Sequence, residues 1–139
     1  MSIPFSKASL DVKINALPTR PGIVNVECQS PDSTAKIFYS IGENIEIYNV
    51  PFDLYSGNND STIVIKSWAE GIQGKSRITD KKIFLHQSIG SKITAITAPH
   101  NKFSVGGSMT LVDGVIGDRP WKGDQWLGYS GDTILIHFN

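Results

Sequence analysis

Trp121, Trp126 and Tyr129 fall in one short stretch between Gly106 and Gly131. Indole and phenol faces stack on the apolar faces of sugar rings, while neighbouring polar groups fix the hydroxyls. These three are therefore the candidate carbohydrate-binding residues. For Trp126 the preferred reading is instead packing in the core of the fold. Trp121, between Pro120 and Lys122-Gly123, is the one expected to be exposed. Asp113, in Leu-Val-Asp-Gly, is a candidate ligand for a structural Ca²⁺, since hard cations take carboxylate and carbonyl oxygens from tight turns. The preferred reading of Asp113 is an Asp-Gly turn whose side chain caps local backbone N–H groups. No other cofactor is implied.

Other chemistry is poorly provided for. His86, His100 and His137 lack the spacing of a metal site. There is no G-x-S-x-G elbow and no phosphate loop, and Gly114-Val-Ile-Gly-Asp118 has the wrong spacing for a dinucleotide fingerprint. The single cysteine, Cys28, shares an alternating face with Val24 and Val26. It reads as a small buried hydrophobe rather than a nucleophile.

The 139 residues suit one domain, or a small domain with part of another. The formal net charge is zero, and Lys81-Lys82 are the only adjacent basic residues. Nucleic-acid binding needs clustered Lys/Arg to displace counterions, so no nucleic-acid partner is expected. No apolar run approaches a membrane span, and Met1–Lys13 lacks the charged-then-apolar order of a signal peptide. No membrane partner is expected, and an exported parent would carry its signal upstream.

The elements that must position the aromatic stretch are strands. Ser9–Asn15 alternates polar and apolar residues until Pro18, Pro21 and Gly22 turn the chain. Ile23–Gln29, Ala35–Ile41 and Ile45–Val50 follow, the last limited by Pro51 to an edge or its end. Phe52–Tyr55 leads into the loop Ser56–Asp60. Thr62–Ala69 has the strongest β-branched content, and Lys75–Leu85 supplies another strand or a bent pair. No helical spacing persists for three turns. Short strands punctuated by Gly and Pro predict an all-β fold, with an immunoglobulin- or fibronectin-like sandwich over 1–86. Its core is expected to include Val24, Val26, Phe38, Ile63, Ile65 and Trp68. The polar segment His86–Lys92 marks the boundary with a second unit, 87–139, opened by Ile93–Thr97 and closed by the strand Thr133–Phe138.

Two motif series carry a family resemblance. Gly106-Gly107-x-x-x-Leu111-x-Asp113-Gly114-x-x-Gly117, then Trp121-x-Gly123-x-x-Trp126-x-Gly128-Tyr129-x-Gly131-Asp132, resemble the start of a discoidin (F5/8 type C) domain. More narrowly, they resemble the version appended to bacterial β-N-acetylhexosaminidases, or chitobiases. Upstream, Ala35–Gly42, Val50–Leu54 and Thr62–Gly71 resemble the small sandwich that precedes the discoidin domain in such enzymes. Ser40 and Ile41-Gly42 replace that family's usual Thr and Asp-Gly turn. His137 stands where an Asp is common.

The resemblance implies a spacer sandwich followed by the first part of a discoidin-type jelly roll. A complete jelly roll has about eight strands, so 87–139 is expected to be a partial, truncated unit. Family-20 glycoside hydrolases use an adjacent Asp-Glu pair on a TIM barrel of about 250 residues. This chain has thirteen acidic residues but no Asp-Glu neighbours. It is therefore expected to be non-catalytic, with an upstream barrel as its partner in the same polypeptide. A glycan ligand and a periplasmic, cell-surface or secreted location are further implications. The alternative is a stand-alone β-sandwich binding or adhesion module with no linked enzyme. A truncated unit is expected to self-associate through the open edge at Ile134, Ile136 and Phe138, or to be poorly ordered there, and to bind glycans weakly or not at all.

Overall fold

The computed structural model describes residues 10–95, 97–117, 125–131 and 133–139. Strands occupy 46% of these, and no helix reaches seven residues, so the fold is all-β as the alternation predicted. Ten strands are present: β1 Lys13–Arg20, β2 Ile23–Gln29, β3 Lys36–Ile41, β4 Asn44–Tyr48, β5 Phe52–Tyr55, β6 Ser61–Gly71, β7 Gly74–Lys75, β8 Thr79–Leu85, β9 Ile93–Ala95 and β10 Ile136–Phe138. One sheet has the order β1-β2-β5, and a second runs β4-β3-β6-β7 with β8 also on β6. The expected "strand or bent pair" over Lys75–Leu85 is thus two strands, both on β6. β9 and β10 form an antiparallel pair with Ile136 opposite Ala95 and Phe138 opposite Ile93.

The first strand is displaced from its sequence expectation. It begins at Lys13 and runs through Pro18, turning only at Pro21-Gly22. β1 lies at a sheet edge, where a proline's missing N–H need not leave a neighbouring carbonyl unpaired. Proline therefore did not stop the strand.

The chain forms two compact units from interleaved segments. The first takes residues up to Ala16 with Asn25–Asp53 and Ile63–Lys82. The second takes Leu17–Val24, Leu54–Thr62 and Ile83–Asn139, so the segment His86–Lys92 lies within it.

In the first unit the period of two decides what faces inward. Val26 and Cys28 of β2 and Ile65, Ser67 and Ala69 of β6 are buried. Ser67 Oγ donates to the Phe38 carbonyl at 2.7 Å, which ties β6 to β3. Tyr39, opposite Ser67 on β3, stacks on Phe52 at 4.5 Å between centroids. Phe38 and Trp68 are opposite each other one residue on, hence on the other face of the sheet. There they stack at 5.7 Å and 9°, with the Lys75 ammonium 4.7 Å from the indole centroid. Of the expected core, Val24, Val26, Ile65 and Trp68 are buried, whereas Phe38 and Ile63 are only half-buried. The alternation located these positions, but it did not show that two faces of β6 are covered at Trp68. In the second unit the core is Val24, Ile83, Leu85, Ile89 and Val112.

Candidate functional site

β8 ends in alternation. Ile83 and Leu85 enter the second unit's core, so Phe84 and His86 face the other way. Their rings lie 5.6 Å apart at 33°. The segment after the 3-10 turn Ser108–Leu111 is docked beside them by two backbone hydrogen bonds. Phe84 N–H donates to the Gly114 carbonyl at 2.9 Å, and Gly90 N–H donates to the Val112 carbonyl at 2.9 Å. Between these anchors, Val112 is fully buried. Gly114 is required on two counts. Its φ is +75°, and a Cβ there would lie 2.5 Å from Ile89 Cδ1 and 3.1 Å from the Phe84 carbonyl oxygen.

A third segment, the loop Ser56–Asp60, is tied in by Gln87, whose Nε2 donates to the Asn58 carbonyl at 3.3 Å. Together the three segments enclose a cleft of about 430 Å³. Phe84, Leu111 and Val115 give it apolar surface. Asp60, His86, Gln87, Ser88, Thr110 and Asp113 give it polar groups. His86 Nδ1 lies 3.0 Å from Ser88 Oγ, a contact that orients the imidazole. The lining is mostly polar with a smaller apolar share, and the cleft is open to solvent; its size suits a small polar ligand.

Asp113 serves its turn, as the preferred sequence reading had it: Oδ1 accepts the Val115 N–H at 2.8 Å. It also lines the cleft. No group of three His, Cys, Asp or Glu side chains is placed to hold a metal among the described residues.

The aromatic candidates are distributed differently. Trp121 lies outside the described residues. Trp126 and Tyr129 are half-buried in a loop pinned at Gly128, where His100 N–H donates to the Gly128 carbonyl and Gly128 N–H donates to the Phe103 carbonyl, at 2.8 and 2.9 Å. The Trp126 indole packs so closely on Gly117 that a Cβ there would lie 2.6 Å from Cε2. The Tyr129 hydroxyl is buried, with no hydrogen-bond partner among the described residues. What Tyr129 exposes is therefore ring rather than hydroxyl. Neither lines the cleft; of the candidates among the described residues it is Asp113 that does.

Sequence reasoning missed Phe84, His86 and Asp60. His86 had been weighed only for metal spacing, and the polar run after Leu85 had been read as a boundary. The available signal was the alternation of Ile83–Leu85, which sends Phe84 and His86 to one face.

Two of the four glutamates are held in side-chain pairs. Glu46 accepts the Tyr39 hydroxyl at 2.6 Å, and Glu70 accepts Trp68 Nε1–H at 3.0 Å with Lys75 Nζ 3.6 Å away. The Cys28 thiol is pushed up in pKa by burial, the opposite of what a nucleophile needs. No protein-family model matches the chain, and no curated protein matches it.

Proposed function

We propose that this chain is a non-catalytic accessory region that binds hexosamine-containing glycans, a spacer sandwich with a carbohydrate-binding role. The parent in this reading is a chitobiase-like β-N-acetylhexosaminidase, with its catalytic barrel upstream and its place of action outside the cytoplasm. The observation that carries the binding role is the cleft at the Asp113-Gly114 turn. Its volume of about 430 Å³ and its combination of an aromatic wall with hydroxyl, amide and carboxylate groups fit a sugar ring. The engagement of Glu46 and Glu70 in structural pairs favours binding over hydrolysis. The order of the two sequence resemblances supplies the link to the enzyme class.

Titration of the chain with N-acetylglucosamine and its oligomers, followed by amide chemical shifts, tests the binding role. Saturable shifts are expected, with no turnover of a chromogenic N-acetylglucosaminide. Absence of any sugar-dependent shift would sink the binding role. Turnover above a mock purification would sink the non-catalytic one.

A further inference from the structure

Two edge strands carry apolar side chains on their open sides. Among the described residues β4 is paired with β3 alone and β10 with β9 alone. The ladders decide which backbone groups point outward. β3 and β4 are joined by the two-residue turn Gly42-Glu43, with Gly42 at φ +62° and Ile41 opposite Asn44. Such a hairpin closes on a hydrogen-bonded pair, and these pairs alternate along an antiparallel ladder. Asn44, Glu46 and Tyr48 therefore turn their N–H and C=O groups to β3, while Ile45 and Ile47 turn theirs to the open edge. In the other pair, Lys92 and Asn139 exchange both backbone bonds, at 2.9 and 2.8 Å. By the same alternation His137 faces β9, which leaves the backbone of Ile136 and Phe138 turned to the open edge.

We propose that copies of this chain associate head to tail, β4 of one copy pairing antiparallel with β10 of another. Ile45 then lies opposite Phe138 and Ile47 opposite Ile136, each pair exchanging both backbone bonds. Directly opposite residues share a face, so the four apolar side chains meet on one side of the joined sheet. Ile45, Ile47 and Phe138 are 62%, 50% and 46% exposed in the single chain, so the contact takes apolar surface out of water. The other face sets Glu46 opposite His137. It also brings the exposed Glu43 towards Lys92, which lies across from Asn139 on the neighbouring strand. This charge complementarity is what selects the partner. β4 laid fully along a second β4 puts Glu46 opposite Glu46, and like charges directly opposite are destabilising. β10 laid along a second β10 puts His137 opposite His137 and gains no ion pair. Each copy offers one edge of each kind, so the contact is heterologous: it builds a ring if it closes and a filament if it does not.

The experiment is analytical ultracentrifugation of the full chain over a range of concentrations, with amide hydrogen exchange followed in parallel. The native weight-average mass should rise with concentration, and exchange at Ile45, Ile47, Ile136 and Phe138 should slow as it does. Ile45→Lys with Ile47→Lys blocks β4, and Ile134→Lys with Phe138→Lys blocks β10. All four positions are exposed, so circular dichroism should be unchanged in both double variants. Each double variant alone should associate about tenfold more weakly than the native chain. An equimolar mixture of the two should recover association as one-to-one pairs, since one keeps its β10 and the other its β4. A native chain that stays monomeric would overturn the proposal. Undiminished association of the β4 variant would overturn it in favour of β10 pairing with itself, and undiminished association of the β10 variant in favour of β4 doing so. A mixture no heavier than its parts would also overturn it, as would slowed exchange confined to other residues. None of these outcomes bears on glycan binding, which the sugar titration tests by itself.

Discussion

The Phe84 amide hydrogen bonds the carbonyl of Gly114 at 2.9 Å, so the Asp-Gly turn is fastened to the end of β8 rather than left as a free loop. One bond thereby sets Asp113 and Phe84 on the walls of the same cleft. Gly114→Ala should disturb it, because φ is +75° and the new Cβ would press on the fully buried Ile89. Left-handed strain and overpacking together should cost about 2 kcal/mol. Urea unfolding measures that loss, and sugar-induced shifts at 84–88 should weaken in the same variant.

Trp68 of β6 is buried on the sheet face that also carries Phe38 of β3, stacked against it and capped by Lys75. Trp68→Ala should destabilise the chain by about 3–5 kcal/mol. Lys75→Ala removes only a half-exposed cation from the indole and should cost about 0.5–1 kcal/mol. Equal midpoints of unfolding for Trp68→Ala and the native chain would show that this outer aromatic pair carries no stability.

Tyr39 gives a pH signature. Its hydroxyl donates to Glu46, and that bond, with burial second, raises its pKa from 10.0 to about 12. A folded pKa raised above the unfolded one means that the neutral form is the one folding favours. The contribution is fully present below pH 10 and is lost as pH rises through about 12. Spectrophotometric titration should show a late tyrosine, beyond Tyr48 which burial also raises, that is missing from Tyr39→Phe and moved earlier in Glu46→Gln. A Tyr39 that ionised with the unfolded chain would remove this coupling.

Cys28 should resist thiol reagents in the folded chain. It is 3% exposed, and burial raises its pKa, so both access and thiolate fraction are low. Labelling should therefore follow unfolding and rise sharply across the denaturation midpoint. Rapid stoichiometric labelling under native conditions would contradict the buried position.

Among the described residues β10 is paired with β9 alone, while Ile134, Leu135 and Phe138 are exposed. An apolar strand with an unpaired side is a template for another chain. Light scattering should rise with protein concentration, and Ile134→Lys with Phe138→Lys should suppress the rise. Concentration-independent scattering by the native chain would remove self-association from the expected partners.

Sequence by itself determined the all-β character and most of the strand set. Alternation at Val24, Val26 and Cys28 is a local property, because successive side chains must point to opposite faces of a strand. The same argument made Cys28 a core residue, and the Asp-Gly pair marked its turn, since a left-handed position and a short capping side chain are local needs. Tertiary structure decided the rest. Pro18 could stay within β1 only because that strand became an edge, and a strand's neighbours are not written in its own residues. Trp68 lies on the face opposite Ile65 by alternation, but that Phe38 sits beside it depends on the register of β3 against β6. The cleft draws Asp60, His86 and Asp113 from three separated segments. No spacing rule joins them, because what unites them is the docking of the Gly114 turn on β8 and the tie from Gln87 to Asn58.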